Sequence, residues 1–216
     1  MTDYSRLREQ MVQRQIAARG VRSEMVLNAM RKVPRERFLP QGQGVRAYDD
    51  APLPIGDGQT ISQPFIVAYM TEALTLEGGE KVLEIGTGSG YAAAVLAEIA
   101  ADVYTIERIA GLATMASSVL DDLGYNNVHV RQADGTLGWP DRAPFDGIVV
   151  TAGGPDVPDT LKHQLKVGGR LVIPIGTSSW YQELVRVTRF SETEFDTEDL
   201  VPVRFVPLIG EEGWDS

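Results

Sequence analysis

The 216-residue chain contains no cysteine. Disulfides, thiolate nucleophiles and cysteine-ligated metals are thereby excluded. Histidine is almost absent: His129 and His163 are the two, far apart in sequence. A histidine-rich metal cage is excluded with them, and no metal site is expected. No apolar run reaches the roughly 20 residues that a membrane-spanning helix needs. The opening Met-Thr-Asp-Tyr-Ser-Arg is polar and lacks the hydrophobic core of a signal peptide. These absences lead to the expectation of a cytoplasmic protein with no membrane partner. Positive charge is also scarce, with 20 Lys and Arg against 30 Asp and Glu and a formal charge of −10. Such a surface repels a phosphate backbone, so no nucleic-acid partner is expected. No repeat, low-complexity tract or interdomain linker is visible, and the length suits one α/β domain.

What is present is a helical opening followed by alternating strands and helices. Leu7, Met11, Val12 and Ile16 recur at helical spacing over residues 5–19, up to Gly20. Ser23 can cap a second helix over 24–31, which Pro34 closes. The proline- and glycine-rich stretch 34–64 reads as mostly loop, and a loop of that length in a compact domain points to function. Pro64 suits the first turn of a helix over 65–74. Strands are expected at 82–85, 102–106, 127–132, 145–150 and 170–175, with helices at 91–100, 109–123 and 157–166. Two more strands, at about 182–189 and 199–207, are joined by a short acidic link. That link is too short for a crossover helix, so the pair should be antiparallel. The expected fold is α/β: a doubly wound, mostly parallel seven-stranded sheet with an N-terminal helical extension and an antiparallel strand near the C-terminal end. Residues 1–76 would form the N-terminal helices and substrate loop, and 77–216 the α/β core.

The most informative stretch is 82–91, Val-Leu-Glu-Ile-Gly-Thr-Gly-Ser-Gly-Tyr. A buried strand with Glu84 inside it runs into a turn with glycine at alternate positions, where the backbone can pass close to a ligand. The dinucleotide fingerprint spaces its glycines G-x-G-x-x-G. Here the spacing is G-x-G-x-G behind an acid, which resembles the S-adenosylmethionine (AdoMet) methyltransferases. Ligands of such sheets sit outside the carboxyl ends of the strands. Glu107, 21 residues after Gly86, could accept hydrogen bonds from both ribose hydroxyls, or be a solvated strand-end carboxylate. Asp134-Gly135 could meet an adenine amino group, or be a plain Asp-Gly turn. The small residues from Thr151 to Pro155 could admit a ligand, or simply reverse the chain.

Longer segments carry a more specific resemblance. They include Met11-Val-Gln-Arg-Gln-Ile16, Val33-Pro-Arg-Glu-Arg-Phe38, Ala47-Tyr-Asp49, Pro54-Ile-Gly56 and, most specific, Gln59-Thr-Ile-Ser-Gln-Pro64. Ala143-Pro-Phe-Asp146, Gln164-Leu165 with Gly168-Gly169, and Arg204-Phe-Val-Pro-Leu208 continue the set. With 82–91 they make nearly the whole chain similar to the protein-L-isoaspartate O-methyltransferases, enzymes that methylate isoaspartyl residues in damaged proteins. The resemblance implies AdoMet as cofactor, S-adenosyl-L-homocysteine as product, and isoaspartyl peptides and damaged proteins as partners. It also implies that Ser62 is the active-site serine. Gln59, Thr60, Ile61 and Ser62 would lie across the cofactor and substrate sites. Glu84, Gly86, Thr87, Gly88 and Gly90 would form the methionine-side turn. Glu107, with Arg108 beside it, would take the ribose, and Asp134 with Gly135 the adenine. Ala47, Tyr48, Thr60, Ser62, Val206, Pro207 and Leu208 would hold the substrate peptide.

The implied chemistry agrees with the residue inventory. An isoaspartyl linkage leaves a free α-carboxylate, with a pKa near about 3.5, already ionised at neutral pH. Its methylation needs no general base, only alignment of carboxylate oxygen, methyl carbon and sulfur. The ester would then cyclise to a succinimide whose hydrolysis restores some normal aspartate. Ala133, Ala92 and Gly153-Gly154 depart from the family's usual pattern. They leave open a relative that methylates ordinary aspartate in one dedicated peptide partner. A monomer is expected.

Overall fold

The N-terminal helix follows the apolar spacing but not with a constant pitch. In the computed structural model, which describes residues 2–178 and 181–215, α1 runs Tyr4–Met11. Val12–Ile16 then widens to a π turn and Ala17–Arg19 tightens to a 3-10 turn, closing at Gly20 with φ +108°. The wider turn keeps Met11, Val12 and Ile16 all on the buried side. Helix α2 (Glu24–Lys32) starts at Ser23, whose hydroxyl accepts from the Val26 N–H.

The 34–64 stretch is more ordered than its prolines suggest. It contains 3-10 turns at Arg35–Phe38 and Gly44–Arg46 and an antiparallel hairpin, β1 (Leu53–Gly56) with β2 (Gln59–Ile61). Asp57 at φ +50° and Gly58 at φ +70° make the tight turn. Leu53, Ile55 and Ile61 are buried at alternate positions. Helix α3 (Pro64–Ala73) begins on Pro64, where no backbone N–H is needed.

The sheet then assembles from β3 (Lys81–Ile85), β4 (Asp102–Glu107), β5 (Val128–Gln132), β6 (Phe145–Val150), β7 (Leu165–Ser178), β8 (Tyr181–Arg189) and β9 (Phe195–Val203). Helices α4 (Tyr91–Ala97), α5 (Ala110–Asp122) and α6 (Asp159–His163) make the crossovers. The order is β5-β4-β3-β6-β7-β8-β9, and β8 is antiparallel to both its neighbours. The chain moves outward from β3 to β5, then returns to lay β6 on the other side of β3. Both faces are covered, so alternate residues of one strand enter different cores. Val82, Val103 and Val149 pack with Met70 of α3 and Leu96 of α4, whereas Leu83, Tyr104 and Ile148 pack with Leu161 of α6 and Leu208.

Several elements differ from the expected spans: β7 is longer at both ends than the strand placed at 170–175, and α4 ends at Ala97, short of 100. The helix placed at 157–166 stops at His163, because Leu165 already pairs with Phe145. The strand placed at 199–207 instead runs Phe195–Val203, using most of the acidic stretch taken for a link. β9 is an edge strand with one neighbour, so its acidic side chains reach water and no apolar run announces it. The chain leaves β9 after Val203 and crosses back toward the strand ends. Among the described residues, no helix is long and apolar enough to cross a membrane.

Candidate active site

The turn after β3 passes through Gly86 (φ +96°), Gly88 (+53°) and Gly90 (+86°). These left-handed values strain any residue that carries a Cβ. The turn is fixed from both sides. The N–H groups of Gly86 and Thr87 donate to Ile106 O at 2.8 and 3.3 Å. Just after β6, Thr151 Oγ1 donates to Gly86 O at 2.7 Å, and a Cβ on Gly86 would run into that hydroxyl.

A cleft opens at the carboxyl ends of β3, β4 and β6, where the strand order reverses. It is a half-open cleft at the strand ends, the usual place of a small-molecule site in an open α/β sheet. Gln59, Thr60, Ile61 and Ser62 line it, as do Gly86, Thr87, Gly88, Glu107, Arg108, Gly135, Val206, Pro207 and Leu208. Segments remote in sequence therefore meet there: the hairpin, the glycine turn and the irregular segment that leaves the sheet after β9.

Glu107 is the buried acid of the cleft. Its Oε2 accepts from the Gly88 N–H and its Oε1 from the Ile109 N–H, both at 2.9 Å. Each oxygen keeps a further lone pair for a ligand hydroxyl.

Five of the expected residues do not line the cleft. Gly90 lies behind it, where a Cβ would crowd Ala116 and Leu120 of α5 at 3.3 Å. Glu84 is fully buried below the turn; Thr105 Oγ1 donates to its Oε2 at 2.5 Å and Thr87 Oγ1 lies 2.6 Å from Thr105 Oγ1. Among the described residues, its Oε1 has no hydrogen-bond partner. Burial pushes the Glu84 carboxyl up to about 8; the Thr105 bond opposes this and the nearby Glu107 charge adds to it. Asp134 caps the next 3-10 turn instead of pointing at a ligand. Its Oδ1 accepts from Thr136 N and Oγ1 at 2.9 and 2.8 Å, and its Oδ2 from Glu211 N at 2.8 Å. Ala47 and Tyr48 are buried in the N-terminal layer. The Tyr48 hydroxyl donates to Glu36 and accepts from Arg8 Nε (2.9 Å).

The lining also holds Ile106, Ile109, Thr151, Ala152 and Ile209. Of these, only Thr151 and Ala152 carried a sequence signal, through the small-residue segment after β6. The isoleucines look like any strand or helix-start residue until the fold brings them to the strand ends. This donor set fits AdoMet. Glu107 offers acceptors to a ribose diol, and Gly135 lines the cleft at a position where a Cβ would collide with Ile85. Among the described residues, Arg108 is the single basic side chain of the lining.

The family model described as Protein-L-isoaspartate(D-aspartate) O-methyltransferase (PCMT) matches residues 6–213. The chain belongs to this family. Rhodopseudomonas palustris protein-L-isoaspartate O-methyltransferase 1 is 62% identical over 215 residues, covering 100% of this chain and 88% of that protein. Its counterpart in Geotalea uraniireducens is 60% identical over 207 residues, covering 96% and 94%. A solved protein-L-isoaspartate O-methyltransferase superposes with a TM-score of 0.87 at 32% identity, over 95% of this chain and 67% of that one. A Plasmodium falciparum structure in complex with S-adenosyl-L-homocysteine shares the fold, with a TM-score of 0.81 at 24% identity over 94% and 98% of the two chains.

Proposed function

We propose that this cleft transfers the methyl group of AdoMet to the free α-carboxylate of an isoaspartyl residue in a peptide or damaged protein. The observation that carries the reading is the convergence of 59–62, the glycine turn with Glu107, and 206–208 on one cleft. AdoMet, when bound, supplies a methyl group on a positively charged sulfonium. Glu107 holds the ribose hydroxyls, Gly86 and Gly88 admit the methionine portion, and Gly135 borders the adenine. Among the described residues, the lining contains no histidine or lysine, which suits an acceptor that arrives already ionised. Ser62 donates a hydrogen bond that orients the carboxylate; it is not a nucleophile. Val206, Pro207 and Leu208 hold the peptide backbone. Ala47 and Tyr48 act from behind, by fixing the shape of the turn that precedes the hairpin.

The chain functions as one domain and as a monomer, in the cytoplasm, without nucleic-acid or membrane partners. Residues 1–76 supply the substrate side and 77–216 the cofactor side. The deciding experiment is methyl transfer from radiolabelled AdoMet to matched isoaspartyl and aspartyl peptides, with Ser62→Ala as control. Base-labile label on the isoaspartyl peptide alone, reduced about 10- to 100-fold in the control, is expected from lost alignment. Equal labelling of both peptides would refute the isoaspartyl reading.

A further inference from the structure

We infer that Arg35 is a positioning residue that sets Ser62 against the glycine turn; the inference rests on the orienting role given to Ser62 above. Arg35 is completely buried, and it heads the fully buried side chains in volume. Its Nε donates to Ala47 O at 2.7 Å and its Nη2 donates to Ser62 O at 2.8 Å. Its guanidinium lies over the Tyr91 ring, 4.7 Å from the centroid. These partners come from three separate segments: the turn before β1, the residue after β2, and the first residue of α4, directly behind Gly90. Ser62 and Tyr91 line the cleft, and Arg35 does not. One rigid fork thus spans the distance between the serine's own backbone and the helix that the glycine turn feeds.

The cost of this arrangement argues for a task. Among the described residues, Arg35 has no carboxylate within ion-pair distance, so its buried charge lacks a counter-ion. Apolar residues of similar volume commonly replace a buried charged group without loss of stability. Holding two carbonyls in fixed directions while stacking on a ring is something a planar guanidinium does, and a lysine ammonium does not. The Ser62 hydroxyl has no hydrogen bond among the described residues, whereas its carbonyl has this one. The backbone is therefore what fixes the position of the hydroxyl.

The test is a double-mutant cycle on the intact protein with an isoaspartyl peptide and AdoMet. Arg35→Lys should remain folded and keep AdoMet affinity within about threefold. Its kcat/KM for the peptide should fall about 10- to 100-fold, as a misplacement of about 1 Å can cause. In a Ser62→Ala background the same change should lower kcat/KM by less than about threefold, because the group that Arg35 positions is already gone. Additive losses would overturn the inference. So would parallel loss of AdoMet affinity, or an Arg35→Lys enzyme with unchanged turnover. If Arg35→Lys does not fold, Arg35→Gln enters the same cycle, and collapse of both assigns Arg35 to folding and overturns the inference. Unchanged activity in Ser62→Ala alone would instead refute the reading of Ser62, whatever Arg35 does.

Discussion

Glu107 serves the fold and the ligand with one carboxylate. Its two oxygens tie Gly88 N and Ile109 N together across the cleft, so it is oriented before any ligand arrives. Glu107→Gln puts an amide donor against one of those N–H groups and halves the acceptors. AdoMet binding should weaken at least about tenfold, consistent with about 1.5–3 kcal/mol for a hydrogen bond to a charged group. Calorimetric titration of the purified variant measures this directly. A change below about twofold would remove Glu107 from the ribose role. Glu84 makes a different prediction. Its carboxyl is raised by burial from an ordinary 4.5 to about 8, so the folded state holds a proton that the unfolded chain releases. Its stabilising contribution is complete below about pH 4.5 and is lost as pH rises through about 8. Urea unfolding from pH 5 to 9 should show this decline, and Glu84→Gln should flatten it. An identical slope in the variant would mean that another group titrates.

At the scale of elements, legibility follows how local the cause is. The caps of α2 and α3 and the glycine turn are written in adjacent residues, and each forms where its residues indicate. The hairpin was equally local: Asp57-Gly58 lies between Leu53, Ile55 and Ile61, a tight-turn signal that the surrounding prolines masked. By contrast, β9 is held by pairing with β8 and has no apolar pattern to betray it. The site divides in the same way. Its glycines and Glu107 announce themselves, but the commitment of Asp134 to Thr136 and Glu211 depends on a segment that returns from the far end of the chain.

Gly153 shows what such a return requires. Gln182 donates to Phe205 O (3.2 Å) and accepts from Phe205 N (2.7 Å), and a Cβ on Gly153 would occupy the space of that amide. Gly153→Ala should therefore loosen the 206–208 wall, raising the peptide KM several-fold with little change in AdoMet affinity. Steady-state kinetics with varied peptide would show it, and an unchanged KM would free the wall from Gln182. In the hairpin, Gly58→Ala places a Cβ at φ +70°. It should cost about 1–2 kcal/mol in chemical denaturation; no loss would mean the turn relaxes.

On the scale of the whole molecule, ligand binding should couple to global stability, because the cleft draws on the N-terminal layer, the sheet and the C-terminal segment together. S-adenosyl-L-homocysteine at about 100 times its Kd should add about 2.7 kcal/mol, raising Tm by about 5–10 °C for a chain of this size. NADH should give no shift. A thermal melt with each ligand separates the two, and a shift with NADH alone would undo the cofactor assignment.

The far border of the sheet bears on the same molecule at work. Strand β9 carries exposed Asp196, Glu198 and Asp199, and Pro202 deletes one donor from its backbone. An extended chain carries unpaired N–H and C=O groups that can anneal to an open strand. A chain that laid itself along β9 would have to strip water from those carboxylates. The acidic border thus disfavours strand addition by any extended chain at this edge.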